Sequence, residues 1–117
     1  MTRAPLVLLA LSACNAPWRA QGFVESTSGE PIEGASVAAV CDDSDTIDQT
    51  VTTSTGRFEI AGSKGAKRAL GCKIEVRKPG FHMKTLHMTD VCFRSGKTSN
   101  YDDPCSARDG HVKLAAE

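Results

Sequence analysis

"GFVESTSGEPIEGASV", residues 22–37, sets a turn cluster between two short apolar stretches. Gly22–Glu25 reads as a short strand, and the run Ser26-Thr27-Ser28-Gly29-Glu30-Pro31 that follows has the composition of a turn. Gly29 and Gly34 suit turn positions of positive φ, and Pro31 holds φ where the chain enters the next strand. From Ala35 to Cys41 the residues alternate. Ala35, Val37, Ala39 and Cys41 share one side, while Ser36, Ala38 and Val40 share the other. A period of two with one apolar side is the pattern of a strand with one buried face.

The same pattern continues along the chain. Thr50–Thr53 is β-branched at every position, a strand signature. Ser54-Thr55-Gly56 is a turn, with Gly56 permitting a hairpin, and Arg57–Ile60 resumes with Phe58 and Ile60 facing one way. The composition of "GSKGAK", 62–67, predicts a loop. Cys72–Lys78 has the clearest alternation, with Cys72, Ile74 and Val76 opposed to Lys73, Glu75 and Arg77. Pro79-Gly80 turns the chain, Phe81–Val91 reads as one more strand, and His111–Leu114 is the last. No segment holds a helical period. Several short strands at close spacing predict an all-β sandwich or barrel.

Three stretches carry a resemblance. "GFVESTSGEPIEGASV" at 22–37, "TTSTGRFEI" at 52–60 and "IEVRKPGF" at 74–81 resemble, in order, the motifs of the carboxypeptidase regulatory-like domain. The resemblance spans about Gly22 to Met88. It implies a seven-stranded transthyretin-like β-sandwich in which the matched glycines, Pro31, Ala35, Val37 and Phe58 build the scaffold. The chain departs from the pattern at Cys41 and Cys72, and in a long cysteine-containing segment from Val91 to Gly110. Two enzyme families of related architecture share the opening motif. Intradiol dioxygenases bind ferric iron with two tyrosines and two histidines, whereas this chain has one tyrosine, Tyr101. Hydroxyisourate hydrolases end in Tyr-Arg-Gly-Ser, and this chain ends "HVKLAAE".

The N-terminus has a different character. Arg3 precedes a run, Ala4–Ala13, whose only non-aliphatic residues are Pro5 and Ser12. A positive start, a short apolar stretch and small residues at its end describe a secretory signal. The run is too short to span a bilayer as a helix, which takes about 20 apolar residues. Leu11-Ser12-Ala13-Cys14 resembles the lipobox of bacterial lipoproteins, which implies a diacylglyceryl group on the Cys14 sulfur and a further acyl chain such as palmitate. Three parts are expected: a signal at 1–13, a tether at 14–21 and a sandwich at 22–117. Asn15 after the cysteine, where many inner-membrane lipoproteins carry Asp, implies the outer membrane of the cell envelope if the host has one.

Cysteine arithmetic points the same way. Of five cysteines, assigning Cys14 to lipid leaves Cys41, Cys72, Cys92 and Cys105, which fits two disulfides in an exported chain. Three connectivities are open. The shared core-facing sides of Cys41 and Cys72 favour their pairing, which leaves Cys92 with Cys105.

Without Arg3 the chain holds 13 basic residues (14 less one) against 14 acidic ones, no footprint for nucleic acid. "HMKTLHM" at 82–88 offers soft donors suited to copper. Strand alternation, however, sets His82 with Leu86 and Met88 against Met83 and His87, only two donors a side. "CDDSD" at 41–45 with Asp48 offers oxygens for calcium without the glycine and distant glutamate of an EF-hand. No Gly-x-Ser-x-Gly elbow occurs. The expectation is therefore a non-catalytic, lipid-anchored envelope protein without a cofactor, binding a protein or glycan partner or acting structurally. A metal-binding lipoprotein, for copper or calcium, is the alternative. Recognition is expected on the loops Cys41–Asp48, Ser63–Arg68 and Ser95–Cys105, the last carrying Tyr101.

Overall fold

Trp18, the chain's one tryptophan, is 2% exposed and opens the first strand. The computed structural model describes residues 16–63, 65–96 and 110–117. Strand β1 runs Trp18–Ser26, β2 Ser36–Val40, β3 Thr46–Val51 and β4 Arg57–Gly62. A short helix, α1, covers Ala66–Leu70, and β5 (Lys73–Arg77), β6 (Lys84–His87), β7 (Cys92–Ser95) and β8 (His111–Leu114) follow. The strands form two sheets, as expected for a β-sandwich.

In the first sheet β4 pairs antiparallel with β1. The other edge of β1 is shared. Trp18–Gln21 pairs with β7, and Phe23–Ser26 pairs in parallel with β8. The second sheet has the order β3-β2-β5-β6. Between the sheets lie the predicted inward residues: Val37, Ala39, Phe58, Ile60, Ile74 and Val76 are all buried. Trp18, Val24, Met88 and Leu114 join them. Each large apolar side chain removed from water in this way stabilises the fold by roughly 1.5–3 kcal/mol.

Polar groups fasten the turns and the chain end. Thr52 is the buried polar residue of the described core, at 4% exposure. Its hydroxyl donates to the Ile32 carbonyl (2.6 Å) and accepts from the Ala35 N–H (2.9 Å). At the C-terminus the His82 N–H donates to the Ala115 carbonyl and the Glu117 N–H to the Gly80 carbonyl. These bonds tie the end of β8 to the chain leading into β6.

Five local expectations are corrected. Residues 18–21, read as tether, are strand, because Trp18 and Ala20 face the core while Arg19 and Gln21 face outward. Of the β-branched run at 50–53, Thr50 and Val51 end β3, while Thr52 and Thr53 lie beyond it. The loop at 62–67 gives way to α1 at Ala66, since Ala66 and Ala69, one turn apart, both reach the core. Phe81–Val91 is not one strand. After β6 the Asp90 carboxylate accepts the His87 N–H (2.9 Å) and the chain winds into a 3-10 turn, Met88–Asp90. Lastly, β7 makes an eighth strand among the described residues, where seven were expected. Gly29 and Gly34 do take positive φ, at 92° and 81°.

Candidate functional site

Cys41 leaves β2 and Cys72 enters β5 at the same end of the second sheet. They are bonded to each other (S–S 2.01 Å). Over this disulfide lies a cleft of about 400 Å³ lined by Cys41, Asp42, Asp43, Lys67, Arg68, Gly71 and Cys72. One wall is the acidic turn. The Cys41 N–H donates to the Asp45 carbonyl, the Ser44 N–H donates to the Cys41 carbonyl, and Ser44 takes a φ of 64°. Asp43 closes the turn by accepting the Asp45 N–H (3.1 Å). The opposite wall is α1, which presents Lys67, Arg68 and Leu70 outward.

Arg68 joins the two walls. Its guanidinium donates to Asp45 (3.0 Å) and reaches Asp43 (3.4 Å). The bond to Asp45 first, and the charges of Asp43 and Asp45 with it, hold the guanidinium above its ordinary pKa. All three side chains are more than half exposed, so water screens the pairs and they position the walls more than they stabilise the fold. The expected recognition loops 41–48 and 63–68 thus meet at one end of the sandwich. Of the third, Ser95 and Gly96 are described, and the Gly96 N–H donates to the Pro17 carbonyl beside the same end. Tyr101 and Cys105 lie outside the described residues, as does Cys14. Cys92 is itself disulfide-bonded.

The residues weighed for metal are not drawn together. Met88 is fully buried, whereas His82, Met83 and His87 are exposed. In the acidic segment, Asp48 directs its carboxylate to the Ala61 N–H (2.7 Å) and Asp43 and Asp45 engage Arg68. Among the described residues, no group of three or more His, Cys, Asp or Glu is placed to hold a metal ion. A further cluster was not foreseen. Glu25 accepts from Lys113 (2.9 Å) and lies 3.2 Å from His111, whose ring stacks on Phe23. The bonds from Lys113 and then His111 hold the Glu25 carboxyl below its usual range. Its members lie 88 positions apart. Only the parallel pairing of β1 with β8 unites them, and no local sequence pattern announces it.

The scaffold positions therefore decide the family. Gly29, Gly34, Ala35, Val37, Phe58 and Ile60 serve as turn and core residues, and the carboxypeptidase regulatory-like domain matches residues 19–102. The chain belongs to that family. Regulatory-like domains are non-catalytic β-sandwich modules, in keeping with a site made of turn, disulfide and short helix. The match takes in Arg19–Gln21, so this regulatory-like domain includes β1 from its second residue on. No curated protein and no solved structure matches the chain. Among the described residues no helix is long and apolar enough to cross a membrane.

Proposed function

We propose that this regulatory-like domain is a lipid-anchored module of the bacterial cell envelope that binds or braces a partner and catalyses no reaction. Residues 1–13 act as the export signal, and Cys14 becomes the acylated N-terminus. The observation that supports this reading most is the employment of the cysteines. Cys41 and Cys72 are bonded to each other and Cys92 is disulfide-bonded. With Cys105 as the partner of Cys92, Cys14 is the odd cysteine, and it stands at the end of Leu11-Ser12-Ala13. Two or more acyl chains on one residue hold a protein stably at a bilayer, where a single chain does not. Disulfides in the same chain fit an oxidising compartment.

The test is fractionation of cells expressing the whole chain, with intact-mass measurement of the product. The wild type should sediment with membranes and carry the mass of a diacylglyceryl group. Cys14→Ser should be soluble. A Cys14→Ser protein that stays in the membrane fraction, or an unlipidated wild type, removes the anchoring part of the proposal. Hydrolytic turnover by the purified domain removes the non-catalytic part.

A further inference from the structure

Ala16 is already part of the fold. Its carbonyl accepts the Ala66 N–H at the start of α1 (3.0 Å), and the neighbouring Pro17 carbonyl accepts the Gly96 N–H (2.9 Å). Between Ala16 and the anchoring position, counting the cysteine itself, stand Asn15 and Cys14. Two residues reach at most about 7 Å. No length is left for a tether. On the anchored reading above, a chain held at Cys14 keeps the first turn of α1 within roughly 10 Å of the anchored residue.

From this geometry we infer that the α1 end of the sandwich is a membrane-docking surface, seated on the lipid headgroup layer. The residues at that end suit such a seat. Ala66 and Ala69 are turned into the core, which leaves Lys67 and Leu70, one helical turn apart, on the outer side of α1. Leu70 is 47% exposed, one of three large apolar residues so placed among the described residues. A leucine at the headgroup boundary buries its side chain in the acyl region, and a lysine beside it snorkels its ammonium to the phosphates. Arg68 is engaged by Asp43 and Asp45, so Lys67 is the cation that α1 presents outward. Asp42 and Asp43 line the same cleft, giving the surface mixed charge. The seat therefore rests on the short reach of the chain and on Leu70, with attraction to anionic lipid secondary. The far end of β1, at Ser26, lies about 26 Å away along the strand.

The experiment places a tryptophan at each end of the lipidated chain, Leu70→Trp and Thr27→Trp. Each is reconstituted in vesicles of phosphatidylethanolamine and phosphatidylglycerol, with and without brominated acyl chains. Quenching beyond that of the parent, whose Trp18 sets the baseline, is expected to be several-fold greater for Leu70→Trp than for Thr27→Trp. Equal quenching at the two positions, or none at either while the protein floats with the vesicles, overturns the docking surface. Flotation separates this outcome from failure of anchoring. If the chain made in cells does not float, the chain beginning at Cys14 is coupled through that thiol to a maleimide lipid. The same comparison of the two tryptophans then decides the seat.

Discussion

Cys41 and Cys72 stand opposite each other one step beyond Val40 and Lys73, the last register pair of β2 and β5, and their sulfurs are bonded. The bond closes a loop with a sequence separation of 31 residues. In the chain-entropy model a loop of that size stabilises the native state by about 3.5 kcal/mol. Replacing both cysteines by alanine is expected to cost about 3 kcal/mol in urea unfolding. A loss under about 1 kcal/mol would show that strand pairing alone holds this end. Peptide mapping of the oxidised chain is expected to recover Cys41–Cys72 together with Cys92–Cys105.

Thr52 joins the turn after Pro31 to the start of β2 through one buried hydroxyl. Thr52→Val keeps the shape and strands both backbone partners, and leaving a buried polar group unpaired costs about 1–3 kcal/mol. Thr52→Ser keeps the hydroxyl and is expected to lose less. Equilibrium denaturation with an unchanged m-value checks the order of the two variants. Equal stability of the pair would mean that the methyl group, not the hydroxyl, is what the site needs.

The indole of Trp18 occupies the space into which a side chain at Gly62 would point, and it stacks on Phe93 with ring centroids 6.2 Å apart. Gly62→Ala must therefore push the indole or the strand aside, at a cost of about 1–3 kcal/mol. Because Trp18 is the one tryptophan, its emission reports the change directly. The wild type should emit at short wavelength and Gly62→Ala should shift to the red. An unshifted spectrum with wild-type stability would show that the packing between β1 and β4 gives way freely.

Glu25 makes the domain sensitive to acid. With its folded pKa depressed by Lys113 and His111, the unfolded chain takes up a proton here at a pH where the folded one does not. The stabilisation is therefore complete well above about pH 4.5 and fades as the pH falls through the lowered folded value. Glu25→Gln should be less stable than the wild type at pH 7 and show a shallower loss between pH 5 and pH 2. Urea midpoints across that range measure it. Parallel curves for the two proteins would exclude Glu25 as a source of the acid response.

The residues that alternate cleanly are the ones whose place was legible. Ala35–Cys41 and Cys72–Arg77 read as half-buried strands, and their inward sides are buried. Facing two sides of a central sheet leaves a period of two that nothing else imitates. The alternation at 18–21 is equally real but only four residues long, and Pro17 and a polar neighbourhood mask it. A helix of five residues, α1, is too short to show a period, and Gly65 and Lys67 give it the composition of a loop. At 50–53 the β-branched run has the composition of a strand, although Thr52 serves through its hydroxyl after the strand has ended. The cleft was half legible. Its acidic turn was visible as a run, but Arg68 meets Asp45 across 23 positions, a contact made by packing alone.

The bond from the Ala61 N–H to the Asp48 carboxylate bears on how densely such molecules can be crowded. β4 lies at the edge of its sheet, where open N–H and C=O groups would invite a strand from a neighbour. Asp48 takes one of those donors, and Thr53 takes both backbone groups of Arg57 at the other end of the strand. A charged cap at one end and a turn at the other leave little open edge for fibre growth. Asp48→Ala should reopen it, shortening the lag before thioflavin-positive aggregates form at high concentration. An unchanged lag would place the protection elsewhere.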